Sequence, residues 1–186
     1  MKKILGIGSI ESVFDEDHDF KKYSSTFVNN LITYKSDHKD EDVHIIDCRD
    51  HVKADNPIES MMSAVLRHGE IDGLIISSHS DWLGLYIFSK TRKELSEDRR
   101  YLLPEFDWRR FKFSPNAYVR LWGCQTAGRN GVLIKDSIAQ IISDETQRLV
   151  YAFTSRSSQQ RKVGERFVQI PDNKKTVILK PRVIST

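Results

Sequence analysis

Ile71-Asp72-Gly73-Leu74-Ile75-Ile76-Ser77-Ser78-His79 is the stretch on which the reading of this chain turns. Its centre, Leu74-Ile75-Ile76, is apolar without alternation, as expected of a strand covered on both faces. Gly69 precedes it and Ser77-Ser78-His79 follows, so the spacing predicts a strand over Ile71–Ser77. Upstream, Pro57 is placed to open a helix, Ile58–His68 continues it with Met61, Met62, Val65 and Leu66 on the buried side, and Gly69 stops it. Val43–Cys48 reads as another strand. Phe20–Tyr34 reads as a helix with Phe20, Tyr23, Phe27, Leu31 and Tyr34 on one face, and Lys3–Gly8 as the first strand.

Downstream the pattern loosens and then resumes. Residues 81–117 are an excursion, read as a β-arm and a helix: Leu85–Phe88 has strand character, Arg92–Arg100 is mixed in charge, and Pro104 and Pro115 punctuate the rest. Ala117–Trp122 returns to strand. A helix is expected from about Val132 to Ile142, carrying Ile134, Ile138, Ile141 and Ile142, and a further strand over Leu149–Thr154. Val163–Gln169 and Thr176–Leu179, separated by Pro171-Asp172-Asn173, read as a terminal pair of strands. Alternating strands and helices of this kind define an α/β domain with a mostly parallel central sheet and flanking helices. No repeat or linker divides residues 1–186, so a single domain is expected.

Composition narrows the function classes. The 186 residues are 39% hydrophobic and 30% charged, the balance of a soluble globular domain rather than of a disordered or membrane protein. No apolar run approaches the roughly 20 residues that a bilayer needs. Lys2-Lys3-Ile4-Leu5-Gly6-Ile7-Gly8 meets polar and acidic residues too soon for a signal peptide, which points to a cytoplasmic protein. The net charge of +3 hides an asymmetry: residues 1–60 carry 8 Lys/Arg against 13 Asp/Glu, and the remainder 21 against 13. The basic pairs Arg99-Arg100, Arg109-Arg110 and Lys174-Lys175 are interrupted by acids and aromatics, so no specific nucleic-acid surface is expected. The six histidines are scattered, and no metal site is expected. Gly6-Ile7-Gly8-Ser9 lacks the third glycine of a dinucleotide fingerprint, and Glu11 would repel a phosphate, so a tight strand-to-helix turn is the better reading.

Two cysteines are too few for a disulfide scaffold, so any role they have is the chemistry of a single thiol. In parallel α/β sheets, sites form beyond the carboxyl ends of the strands. Those ends carry Gly8-Ser9, Cys48-Arg49-Asp50-His51, Ser78-His79-Ser80-Asp81, Cys124-Gln125-Thr126 and Ser155-Arg156-Ser157. His79 and Cys124 therefore top two core strands. An imidazole beside a thiol is the minimum for nucleophilic catalysis, with a following helix N-terminus expected to favour the thiolate. Cys48 and His51 form a second pair with no motif around it, for which packing is the expectation.

The strand ending in His79, and Tyr118-Val119-Arg120-Leu121-Trp122-Gly123-Cys124 followed by Gln125-Thr126-Ala127, resemble the caspase-like (clan CD) cysteine peptidases. The nucleophile motif looks like the CHAT type. The resemblance implies a three-layer caspase-like fold and a cysteine endopeptidase acting on a protein or peptide substrate, itself included. It implies that Cys124 attacks the carbonyl, that His79 protonates the leaving amine, and that the backbone N–H groups of Ser80 and Cys124 hold the oxyanion. Two positions differ from the family. Ser80 stands where it usually has Gly, so a differently shaped oxyanion loop is expected; Trp122 stands where caspases have a Gln of the aspartate pocket, which argues against that specificity. Arg156, Asp81 and Trp122 are the candidates for substrate binding. The resemblance also brings an inositol polyphosphate activator, as in the toxin relatives, and pairing of two copies through an exposed edge strand, with Thr176–Leu179 the candidate edge. The alternative is a non-catalytic caspase-like or Rossmann-like module that binds a nucleotide or a partner protein, in which His79 and Cys124 are dispensable.

Overall fold

The computed structural model describes residues 1–10, 26–88, 101–102, 105–155, 158–163, 166–171 and 176–182. In chain order the elements are β1 (Lys2–Gly8), α1 (Thr26–Asp37), β2 (Glu41–Asp47), α2 (Pro57–Leu66), β3 (Ile71–Ser77), β4 (His79–Asp81), β5 (Gly84–Tyr86) and β6 (Tyr101–Leu102). They continue with β7 (Phe113–Trp122), β8 (Gly128–Arg129), β9 (Val132–Leu133), α3 (Ile138–Thr146), β10 (Leu149–Phe153), β11 (Ser158–Val163), β12 (Arg166–Pro171) and β13 (Thr176–Leu179). The main sheet has the order β13-β10-β7-β3-β1-β2. Its strands are parallel except β13, which runs antiparallel to β10.

The unbroken apolar run of β3 has the cause anticipated from the sequence. Leu74, Ile75 and Ile76 are fully buried, but on alternate faces. Ile75 joins Ile4, Leu31, Tyr34 and Val43 beneath α1. Leu74 and Ile76 join the larger core, with Met61, Met62 and Val65 of α2 and Ile138, Ala139 and Ile142 of α3. Among the described residues, one helix on one face and two on the other make three layers, and each Leu or Ile fully removed from water contributes about 1.5–3 kcal/mol. The glycines of β1 serve the packing of α1. A Cβ on Gly6 would meet Leu31 Cδ2 at 2.8 Å, and one on Gly8 would meet Val28 Cγ2 at 2.6 Å.

Local signals account for most boundaries. Asn56 caps α2 by accepting the Glu59 N–H at 3.2 Å, Pro57 occupies the first turn, and Gly69 takes the left-handed φ of 68° beyond its end. Leu66, expected inside, is 37% exposed because it falls outside the arc of Ile58, Met61, Met62 and Val65 that faces the core. α1 runs to Asp37, three residues past the expected end; Phe20 and Tyr23 lie outside the described residues.

Three expectations are corrected. β7 begins at Phe113, four residues before the expected Ala117, so Pro115 lies within a strand rather than in the excursion before it. Two steps along β3, from Ile71 to Gly73, span five along β7, from Phe113 to Tyr118, and the bulge accommodates a proline that cannot donate to the ladder. The helix expected from Val132 begins only at Ile138, where Ser137 caps it. Between them, β8 and β9 form a hairpin whose Asn130 and Gly131 both have positive φ, 52° and 85°, the geometry of a tight primed turn. The terminal strands do not pair with each other. β12 pairs with β11, and β13 docks on β10 as the outer strand of the main sheet. In the 81–117 excursion the β-arm is a three-stranded sheet, β4-β5-β6, and the helical part among the described residues is a single 3-10 turn at Trp108–Arg110. Arg92–Arg100 lies outside the described residues.

No helix among the described residues is long and apolar enough to cross a membrane.

At the amino-terminal edge of the sheet, the His44 and His68 rings lie 4.7 Å apart, and Lys3 Nζ donates to the His68 carbonyl at 3.0 Å. Partial burial, then the neighbouring His44, Lys3 and Arg67, hold the His68 imidazole below the usual histidine range, with Asp42 opposing them. The folded state thus favours neutral His68. Its contribution to stability is complete above the ordinary histidine value of about 6.5 and is lost as pH falls below it. Between pH 7.5 and 5.5, the Tm of the wild type is expected to fall further than that of His68→Gln.

Candidate active site

The site is built where β3 and β7 end. These neighbouring parallel strands are in register to the last rung, Ser77 opposite Trp122, and the Ser78 N–H donates to the Trp122 carbonyl at 3.3 Å. His79 and Cys124 each stand two residues beyond that rung. Both are half-buried. The β1 side is closed by the Ser9 N–H, which donates to the Ser77 carbonyl at 3.0 Å, and by Asn30 of α1, which donates to Ser77 Oγ at 3.2 Å.

His79 opens the hairpin β4–β5, opposite Tyr86. Its ring meets Phe27 of α1 edge-on, with centroids 4.9 Å apart and planes at 81°, a contact that helps to fix the imidazole's orientation. Asp81 organises the turn that follows. Its carboxylate accepts from the N–H groups of Leu83 and Gly84 at 2.8 and 3.2 Å and from the Tyr86 hydroxyl at 2.8 Å. With two residues in the turn, Asp81 and Gly84 form a hydrogen-bonded pair, so by alternation Ser80 and Leu85 form a non-bonded one. The Ser80 N–H accordingly points out of the hairpin, away from β5.

Cys124 sits in a turn stitched on both sides. Ser80 Oγ donates to the Cys124 carbonyl at 2.9 Å. On the far side, Gln125 takes a left-handed φ of 57° and its N–H donates to the Ser155 carbonyl at 2.9 Å; the Ala127 N–H donates to the Phe153 carbonyl at 2.8 Å. Gly123 is required by this closeness, since a Cβ there would fall 2.0 Å from Ser80 Oγ and 2.9 Å from the Ser78 carbonyl.

The expectation that a helix N-terminus directly follows the nucleophile does not hold, because the β8–β9 hairpin intervenes. The N-terminus of α3 instead ties the two loops together. Its Ile138 N–H donates to the carbonyl of Trp82, in the turn after His79, and its Ala139 N–H to the carbonyl of Thr126, just after Cys124, at 2.8 and 3.2 Å. Ser137 Oγ accepts from the Gln140 N–H, and the Ser137 N–H itself donates to the Ile134 carbonyl at 3.2 Å. All four amide groups that a helix start leaves over are used in structure.

The other candidates separate clearly. The Trp122 side chain lies on the α1 side of the sheet, half-buried, with its ring edge-on to Tyr34 at 5.6 Å. Arg156 lies outside the described residues. Cys48 is fully buried, its Sγ 3.9 Å from Met61 Sδ. Burial, then the charges of Asp47 and Asp50, push its thiol up, which disfavours the reactive thiolate. Its sequence neighbour His51 is directed to Ser60 Oγ at 2.9 Å. No group of three or more His, Cys, Asp or Glu suited to a metal ion occurs among the described residues.

Sequence reasoning missed the Ser80 hydroxyl, Phe27 and the bridging role of α3. Asn130-Gly131 and Ser137 were the signals for the third, marking a hairpin and then a late helix start.

A scan against protein-family models finds none that matches this chain, and a search of curated proteins finds no match.

Proposed function

We propose that this protein is a cysteine endopeptidase of caspase-like architecture, with Cys124 as nucleophile and His79 as the acid that protonates the leaving amine. The observation that carries the reading is the register of β3 and β7, which delivers His79 and Cys124 to the same height beyond adjacent strands, with their loops joined by the Ser80–Cys124 hydrogen bond. The parallel order 2-1-3-4-5, counting main-sheet strands along the chain, closed by an antiparallel sixth, supports the architecture. In the first step the thiolate forms a bond to the carbonyl carbon and the π pair moves to oxygen, where outward-pointing N–H groups such as that of Ser80 stabilise it. Collapse breaks the C–N bond, the amine leaves with a proton from His79, and water then releases the acyl group from sulfur. The wild-type protein is expected to cleave members of a peptide library, and Cys124→Ala to cleave none. Cleavage that persists in Cys124→Ala overturns the reading.

A second reading, a non-catalytic binding module, is favoured by one observation. The switch in strand order lies between β1 and β3, where open α/β sheets commonly bind ligands. On that reading a nucleotide or partner protein binds equally well to wild type and to Cys124→Ala, and no peptide is cleaved.

A further inference from the structure

We infer that the Ser80 hydroxyl is a positioning group that occupies the next rung of the β3–β7 ladder and thereby leaves the Ser80 amide to face the reacting carbonyl. The inference rests on the peptidase reading and deepens it. Hydrogen bonds of a parallel ladder recur every second residue along a strand. The last backbone bond on this side is Ser78 N–H to the Trp122 carbonyl, 3.3 Å, so a continued ladder would next join the Ser80 N–H to the Cys124 carbonyl. The chain instead turns into the β4–β5 hairpin, and the acceptor on Cys124 is met by Ser80 Oγ at 2.9 Å. One residue thus supplies two donors with separate tasks. The hydroxyl fixes the carbonyl of the nucleophile, and the amide, pointing out of the hairpin by the alternation of its pairing, makes no backbone bond to that carbonyl among the described residues. Gly123 lets the two chains approach closely enough for the exchange, because a side chain there would occupy the place of Ser80 Oγ.

Without the hydroxyl, the Cys124 carbonyl would draw the Ser80 amide back into the ladder. An oxyanion donor would be lost although no backbone group had been altered.

The test compares two reagents on the same thiol. A set of acetyl-tripeptide aldehydes, ending in acidic, basic or apolar residues, adds reversibly: sulfur bonds to the carbonyl carbon, the π pair moves to oxygen, and the oxygen takes the proton displaced from the thiol. Iodoacetamide alkylates Cys124 with loss of iodide and develops no oxyanion. Removing one such donor costs about 10²–10³-fold in related chemistry, so Ser80→Ala is expected to weaken the tightest aldehyde by at least about 10-fold. Its iodoacetamide rate at Cys124 should stay within about twofold of wild type, and Ser80→Thr should restore aldehyde binding. A purely structural role would lower both reactivities together with Tm. If Ser80→Ala does not fold, Ser80→Val, which has the shape of the Thr variant without its hydroxyl, is read in the same way. Aldehyde affinity in the folded variant equal to wild type overturns this inference alone. A wild-type protein that neither takes an aldehyde nor cleaves any peptide overturns the peptidase reading and this inference with it.

Discussion

His79→Ala is expected to lower kcat for peptide cleavage by about 10²–10⁴-fold, the usual worth of a positioned acid or base, with KM changed little. The reason is chemical. An amine expelled without a proton is a very poor leaving group, so the acid acts in the transition state and contributes little to ground-state binding. His79 opens a hairpin at the end of a core strand, and its ring is braced edge-on by Phe27 at 4.9 Å. Adding His79→Ala to Cys124→Ala should cost nothing further, because residues that act as a unit are not additive. Steady-state kinetics on the best library peptide would check this. A His79→Ala protein with wild-type kcat and a raised KM would assign the imidazole to binding instead.

The two thiols are expected to differ in reactivity by more than about 100-fold, because the thiolate is the nucleophile and must be reachable. Cys48 is fully enclosed against Met61, and its ionisation is opposed first by burial and then by Asp47 and Asp50. Cys124 is half-buried, two residues beyond the carboxyl end of β7. Mass spectrometry of peptides from iodoacetamide-treated native protein should therefore find the label on Cys124, with Cys48 labelled only after denaturation. Equal labelling of both under native conditions would contradict the placement of Cys48 in the core.

How much of this was legible before the structure depended on how local each cause was. β3 matches Ile71–Ser77 residue for residue, because burial on both faces leaves an unbroken apolar run, bounded here by Gly69 and by Ser77-Ser78. α2 was nearly as plain, since Pro57 and Gly69 are a start and a stop that act within one turn, although the helix ends at Leu66, two residues short of the expected His68. The stretch after Cys124 misled for a physical reason. Ile138, Ile141 and Ile142 do have helical spacing, and Ile134 happens to extend the period backwards. Asn130-Gly131 forces a hairpin first, and the Ile134 N–H goes to the Ala127 carbonyl rather than into a helix. Pro115 reads locally as a break, yet a neighbouring strand tolerates it through a bulge that only the pairing defines. The clamp from Ser80 to Cys124 spans 44 residues of sequence. No periodicity records a hydroxyl of one loop meeting a carbonyl of another, so the positions of His79 and Cys124 were readable while the bracing between their loops was not.

The most direct test of Cys124 as the attacking group is to quench the protein with acid during turnover of its best peptide and map the covalent product. Trypsin releases residues 121–129 as one peptide containing Cys124. This peptide is expected to carry the acyl part of the substrate, as a thioester, in the wild type and not in Cys124→Ala. Turnover with no acyl mass on residues 121–129, or with the acyl group on a different peptide, would contradict it.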